Sequence, residues 1–388
     1  MFYPQSKIIA NSDRVLSFLQ GENPAPVLVE IDPSNACNHG CYFCISSYIH
    51  LPESKHLETF DRSIMSKKIL LDLCQELIDM KVRAINWTGG GEPTINPAFK
   101  EALQLIGTSD IKMGIFTNGT LLDKWDLFET MVDTMTWVRF SIDAGTEETY
   151  NSVRRARDGQ DWNRMLANLS TLIETNKRKG KKIDIGVGFV ITPDTYTEIV
   201  DFAKVFAEYD VDYCQFKPEV VNREREGGVQ REQDFWYNEV DPLLQEAKAI
   251  LGDKFQINGY KLSDLEEDPE FFGRTYKKCL GSQVQPCIGA DGEVYVCTNH
   301  RGYKQYSYGS LKEQSFSDIW GNIQKKQEVM HLIEEKECFS NCTQLCKPHE
   351  SNKAVWEIYN NMGNEEYLAE LEKKREALST TLTHKEFI

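Results

Sequence analysis

Across the first 220 residues, short runs rich in β-branched and aromatic residues alternate with stretches whose apolar positions recur every three or four residues. The runs predict strands at Val27–Asp32, Arg83–Thr88, Lys112–Thr117, Trp137–Asp143, Asp184–Ile191 and Asp212–Lys217. Between them, Ile69, Leu73, Leu77 and Met80 fall on one helical face. So do Leu166, Leu169 and Leu172, and again Ile199, Phe202, Val205 and Phe206. Six β-then-α units in succession predict an α/β fold with a parallel sheet, open or curled toward a barrel. Ligands in such folds bind in the loops at the carboxyl ends of the strands. Chemistry-bearing residue types fall there: PSNACNHGCYFC after the first predicted strand, GGGEPTINP after the second and NGT after the third. SIDAG closes the fourth, and KPEV follows the sixth.

The pattern changes near Asn222. Asn222–Gln230 is polar and charged, a helix-like stretch runs to about Leu251, and Cys279–His349 is short-stranded, turn-rich and cysteine-bearing. These shifts divide the chain into an N-terminal extension (1–26), an α/β domain (27–221), a helical connector (222–278), a separate small domain (279–350) and a helical tail (351–388). The tail, with EEYLAELEKKREAL, reads as a solvated or docking helix. No internal repeat or low-complexity tract is evident.

Composition narrows the function classes. Of 388 residues, 40% are hydrophobic and 27% charged, as in a folded domain protein. No apolar run is long enough for a membrane span, and no signal peptide is evident at the start, so the expected location is the cytoplasm. A net charge of −16 argues against a broad nucleic-acid-binding surface. The eleven cysteines fit a reducing compartment, where thiols serve metals or catalysis more often than disulfides.

Those cysteines are clustered. Cys37, Cys41 and Cys44 have the spacing C-x3-C-x2-C. A closed zinc site wants four ligands; His39 is too tightly placed for a usual pair, and the next cysteine, Cys74, lies on the apolar face of a helix as a small core residue. Three thiolates suit a [4Fe–4S] cluster with one iron left open, although spacing alone leaves zinc in play.

With Gly90-Gly91-Glu92-Pro93 one βα unit later, the sequence resembles the radical S-adenosylmethionine (SAM) enzymes, over roughly residues 25–220. Thr117-Asn118-Gly119 and Ser141-Ile142-Asp143 also look like elements of that family. The resemblance implies a partial (β/α)6 TIM-type barrel, with Cys37, Cys41 and Cys44 holding the cluster and the Gly90–Pro93 loop holding the SAM amino group. It further implies Asn118, Ser141 and Asp143 as SAM-site residues, Ser141 and Asp143 toward the ribose or carboxylate, with Phe43 at the adenine. The activity it implies is reductive cleavage of SAM to methionine and a 5′-deoxyadenosyl radical, which takes hydrogen from an unactivated carbon. The electron would come from a flavodoxin or ferredoxin-type donor.

A second group, with Cys279 and Cys297 around Gly292 in C-x12-G-x4-C, resembles the opening of SPASM and "twitch" auxiliary-cluster domains. The chain departs from the full pattern with Cys338-x3-Cys342-x3-Cys346 and no cysteine after that. Six thiols can fully ligate one [4Fe–4S] cluster but not two, so at least one auxiliary cluster is expected. Cys279 and Cys297 are the favoured ligands, joined by two of Cys338, Cys342 and Cys346; Cys287 is an alternative ligand or a buried thiol. Structural zinc is the bland alternative, and His300 and His349 read as ordinary surface or turn residues. Cys214, Tyr213 and Lys217 on the sixth strand are weak catalytic candidates, because alternation sends only some of them inward. Arg154 and Arg155 could hold a carboxylate, but solvated charges are the first expectation.

The substrate expectation is a small polar metabolite of sugar, nucleotide or aminocyclitol type, because only 26 residues precede the first strand, too few for an added peptide-leader domain. The alternative is a maturase acting on a ribosomally made peptide or protein. From a different class, a non-enzymatic iron–sulfur or zinc scaffold would need the cysteines but not Glu92, Ser141 or Asp143.

Overall fold

A computed structural model describes residues 4–46, 62–156, 159–219, 235–257, 275–336 and 348–388. All six expected strands form: β1 Leu28–Ile31, β2 Ala84–Trp87, β3 Lys112–Thr117, β4 Trp137–Ser141, β5 Asp184–Ile191 and β6 Tyr213–Pro218. Each pairs in parallel with the next, in chain order. The protein is of the α/β class, as expected.

Alternation decides what each face does. One set of side chains, including Val29, Ile31, Ile85, Trp87, Met113, Ile115, Val138, Phe140, Val187, Phe189 and Phe216, lies in the main core with the helices. Leu70, Leu73, Cys74 and Leu77 of the helix Lys67–Asp79 meet it from outside, so Cys74 is the small core residue its spacing suggested. That helix starts where Ser66 accepts the Ile69 N–H at 3.3 Å. The opposite, inner face carries the alternate positions, and these are largely polar.

Two features depart from the sequence reading. A three-residue strand in the connector, β7 (Phe255–Ile257), adds in parallel to β6. The cysteine-bearing segment, expected to be separate, is built into the same sheet. Its first strand β8 (Cys287–Ile288) pairs in parallel with β1, opposing Glu30 with Cys287, and β9 (Glu293–Tyr295) and β10 (Ser307–Ser310) extend it antiparallel. One ten-stranded sheet results, in the order β10-β9-β8-β1-β2-β3-β4-β5-β6-β7. A strand of two residues shows no period, so its pairing leaves no trace in the pattern.

The tail does not close over the loops that follow the strands. Its helix Glu365–Thr381 docks through Leu371 in a small cluster with Ile8, Val15, Val355 and Ile358. Past it the chain turns under the sheet. Phe387 packs with Leu28, Ala84 and Trp137, residues at the amino ends of β1, β2 and β4, and His384 Nε2 meets Asp184 Oδ2 at 2.5 Å. Lys7 Nζ donates to the Phe387 carbonyl at 2.9 Å. The last residues thus plug the bottom of the inner face. Replacing Phe387 with Ala is expected to destabilise the fold by about 3 kcal/mol, read as a lower urea midpoint at unchanged m-value.

Candidate functional site

The loop after β1 is held by the loop after β2. Gly91 N–H donates to the Ser34 carbonyl at 3.0 Å and Glu92 N–H to the Ala36 carbonyl at 2.9 Å. A Cβ on Gly91 would stand 2.1 Å from the Ala36 oxygen, so only glycine lets these backbones meet. Replacing Gly91 with Ala is expected to displace the Cys37 loop and at least halve iron uptake on reconstitution, with the far-UV circular dichroism retained.

Cys37, Cys41 and Cys44 lie within electrostatic reach of one another on this loop. The Cys37 sulfur accepts the His39 N–H at 3.4 Å, the Cys44 N–H closes a turn onto the Cys41 carbonyl at 3.2 Å, and Arg154 Nη1 points to the Cys41 sulfur at 3.6 Å. Burial raises the Cys37 thiol well above its usual range, with Glu92 next, and raises Cys41 to about 11. Loading such thiols must therefore release protons. Among the described residues no three His, Cys, Asp or Glu side chains are grouped to hold one metal ion. A cubane asks for something else, one thiolate on each of three separate irons. Three neighbouring thiols beside a glycine cradle, with a guanidinium at hand for the negative charge, fit that group. His39 is turned away, its Nε2 3.1 Å from Asp161 Oδ2.

Glu92 is 3% exposed and already engaged. Its Oε1 accepts from the Thr94 N–H (3.2 Å), Thr94 Oγ1 (2.7 Å) and Thr117 Oγ1 (2.7 Å), and its Oε2 from the Asn118 N–H (2.8 Å). Burial raises its pKa, and these donors oppose the shift. The carboxylate therefore clamps the second loop to the third, and the residue next to it, Pro93, opens the short 3₁₀ turn Pro93–Ile95. Asn118 carries the link onward: its Nδ2 donates to Asn38 Oδ1 at 2.9 Å, and Asn38 Nδ2 to Thr120 Oγ1 at 2.8 Å.

At the end of β4, Asp143 and Arg154 form an ion pair, with side chains 2% and 7% exposed. Asp143 also accepts the Val190 N–H at 2.7 Å, and Arg154 Nε donates to the Ile142 carbonyl at 3.2 Å. Arg154 is thus no solvated charge, unlike exposed Arg155; the turn after the helix Glu147–Arg154 buries one and leaves the other outside. Ser141 is half-buried on the inner face. Phe43 is buried edge-on to Tyr42, with ring centroids 5.2 Å apart, and the Arg154 guanidinium lies 6.0 Å from its ring.

The sixth-strand candidates separate by face. Cys214 lies on the helix side, in the main core, with burial pushing it up to about 12. Alternation alone turns it away from the inner face. Tyr213 and Lys217 are on the inner face, Tyr213 low, where Gly186 makes room for its ring, and Lys217 high. Burial, with Arg139 next, lowers Lys217 to about 8, and Asp143, Arg154 and Cys44 lie within its electrostatic reach.

In the C-terminal segment, Cys279 and Cys297 are buried and both lie near the Tyr308 phenol. Asn352 Nδ2 donates to the Cys279 sulfur at 3.4 Å. Cys338, Cys342 and Cys346 lie outside the described residues. Cys287 shares a face with Glu30; Asp32 is the charge that, after burial, most raises its thiol, and Cys297 also lies within its electrostatic reach. His300 is buried with its ring centroid 4.3 Å from that of Tyr306, and His349 Nδ1 meets Tyr276 Oη at 3.1 Å.

Asp291 shapes the β8–β9 turn, accepting from Tyr295 Oη at 2.6 Å and from the Glu293 N–H at 3.2 Å. Burial raises it from 3.8 to about 6. A carboxyl raised on folding favours the protonated state, so its contribution is greatest below pH 3.8 and is lost as pH climbs through 6. Stability is expected to fall by about 1 kcal/mol between pH 5 and 7. Urea midpoints of wild type and Asp291→Asn, compared at those two pH values, check this; the variant should lose that part of the slope.

One site feature escaped the sequence reading. Asp32, at the end of β1, is fully buried and ion-paired with Arg301, whose Nη2 also reaches Ser46 Oγ at 3.5 Å. Burial raises Asp32, opposed by that guanidinium. The signal was available on one side only. Glu30 and Asp32 break an apolar strand at alternate positions, as Arg139, Ser141 and Asp143 do in β4, but nothing in the sequence points 269 positions ahead to Arg301.

Comparison with known proteins gives concordant matches. The model of the radical SAM superfamily matches residues 31–203, and that of the SPASM iron–sulfur cluster-binding domain matches 279–347. A tungsten-containing aldehyde ferredoxin oxidoreductase cofactor-modifying protein of Pyrococcus furiosus is 24% identical over 341 residues, which is 81% of this chain and 85% of that protein. The mycofactocin maturase of Mycobacterium ulcerans is 24% identical across 77% of this chain and 75% of its own. In structure, Streptococcus suis SuiB bound to precursor peptide SuiA superposes with a TM-score of 0.62 at 16% identity, covering 92% of this chain and 77% of that one, a likeness of fold. No helix of the described residues is long and apolar enough to cross a membrane.

Proposed function

Because this chain is a radical SAM enzyme with a C-terminal SPASM iron–sulfur domain, we propose that it is a maturase whose substrate is a ribosomally made peptide or protein. The observation that carries this reading is the match to mycofactocin maturases, which covers more than three quarters of the chain. The fold shared with a peptide-bound enzyme supports it. A small polar metabolite, the first expectation, rested on the length before β1. That length bears on an added leader-binding domain and not on what the inner face admits. The enzyme assignment removes the basis for a non-enzymatic scaffold.

Cys37, Cys41 and Cys44 would hold the SAM-binding cluster; Cys279 and Cys297, with partners from Cys338, Cys342 and Cys346, would hold an auxiliary one. Given an electron from a flavodoxin or ferredoxin-type donor, a cluster held at the first site with SAM would supply a 5′-deoxyadenosyl radical able to remove hydrogen from carbon. The chain's own part is placement and exclusion of water. Gly90 and Gly91 bring backbone close to the ligand, Glu92 fixes that loop to Asn118, and the Asp143–Arg154 pair sets the rim beside Cys41. Phe387 seals the lower end of the inner face.

The test is anaerobic co-expression with each short open reading frame beside the gene, followed by mass spectrometry of the peptide products. A mass change that disappears in Cys41→Ala supports the reading. Unchanged peptides, together with 5′-deoxyadenosine release stimulated by a sugar or nucleotide alone, would return the substrate to the metabolite class.

A further inference from the structure

Among the described residues, two cations on the inner face of the sheet make no ion pair. Arg139, in the middle of β4, lays its guanidinium over the Phe116 ring at 4.1 Å and donates through Nη1 to Gln215 Oε1, while its buried Nε has no acceptor among the described residues. Lys217, two residues beyond Gln215 on β6, makes no ion pair or hydrogen bond among the described residues. The nearby acids with known partners are committed: Asp143 to Arg154 and the Val190 N–H, Asp32 to Arg301.

Glycines bring these groups together. Between β4 and β6 runs β5, whose inner face carries Gly186 and Gly188, in register with Arg139 and Ser141 on one side and with Tyr213 and Gln215 on the other. With no side chains there, Arg139 reaches across β5 to Gln215. A Cβ on Gly188 would lie 3.5 Å from Arg139 Nε, in ordinary contact, so this glycine leaves space rather than relieving a clash. Below, Phe116 rests with Trp137 against the Phe387 plug. Above, Lys217 lies within electrostatic reach of Cys44 on the cluster loop. The set therefore spans from the floor of the inner face to the candidate cluster.

Holding positive charge in such a place without a direct ion pair is unfavourable unless a ligand brings the counter-charge. A guanidinium, a carboxamide and an ammonium facing one space suit a carboxylate, which takes paired hydrogen bonds from Arg. We propose that Arg139, Gln215 and Lys217 form a carboxylate-binding floor for the substrate, so that the residue modified carries, or adjoins, an acidic group. This rests on the peptide reading. The carboxylate is either the peptide's C-terminal α-carboxylate or an Asp or Glu side chain, and the carbon next to it is held beneath the Cys44 side of the loop. Gln215 orients Arg139, and Lys217 adds charge on the side nearest the cluster.

The test needs no turnover, so its failure is distinct from failure of the peptide reading. The reconstituted protein with saturating SAM is titrated with N-acetyl-leucine (α-carboxylate only), the α-amide of N-acetyl-glutamate (side-chain carboxylate only) and N-acetyl-leucinamide (neutral), at constant ionic strength set with chloride. Thermal unfolding reports binding. At least one acid should raise the melting temperature saturably where the amide does not, and which one does so identifies the source. Half-saturation should weaken about tenfold or more in Arg139→Met and in Lys217→Met, with Arg139→Lys intermediate. SAM affinity, by equilibrium dialysis, should be unchanged in all three. Equal response to acids and amide in the wild type would overturn the proposal. So would a loss of SAM affinity in the variants, which would give these cations to SAM's own carboxylate.

Discussion

Cys41→Ala is expected to lower the iron content of the anaerobically reconstituted protein from about eight to about four per chain and to reduce 5′-deoxyadenosine formation from SAM and dithionite to the buffer background. Three thiols on one short loop, tied to the glycine loop by the Gly91 and Glu92 backbone bonds, are the candidate ligands of a cluster whose fourth iron is open. Removing one leaves too few protein ligands. The C-terminal cysteines are far along the chain and should keep their iron. A starting count near twelve would mean two auxiliary clusters. Zinc in place of iron, or deoxyadenosine surviving in the variant, would sink the assignment of these cysteines. The Cys37 and Cys44 replacements should behave alike, because each thiol would hold an iron of its own.

Arg154→Met carries the second large expectation, a loss of about 3–5 kcal/mol of stability. It would leave the Asp143 carboxylate, 2% exposed, with only the Val190 N–H in place of a guanidinium. It would also remove the positive group beside the Cys41 sulfur. The double variant Asp143→Asn/Arg154→Met tests the cause, since two neutral groups bury far more easily than one orphaned charge. Stability should return largely to the wild-type level in the double variant, by urea unfolding of the holoprotein. Deoxyadenosine formation should stay low if the pair shapes the SAM site. Recovery of both would reduce the pair to a fold element. A double variant as unstable as the single one would mean that packing of the Arg154 stem, not its charge, matters.

The sequence by itself determined a good part of this protein. Six β-then-α units, their parallel order and the helix-facing side of each strand follow from period and alternation, which are local properties of the chain. So does the cluster loop, whose three cysteines lie within eight residues, and so does the GGEP loop that rests on it. Only the tertiary structure decided what joins distant positions. Cys287, on a two-residue strand beside Glu30, joins the C-terminal strands to β1, Arg301 reaches Asp32, and Phe387 closes the bottom of the inner face. Glu92 turned out to brace Asn118 rather than lie open, Arg154 to be buried while Arg155 is not, and Cys214 to face the helices while Lys217 faces the site. The physical reason is common to these cases. Periodicity records which way a side chain leaves its own backbone, whereas a buried charge or a two-residue strand is stabilised by a partner that the local pattern does not contain.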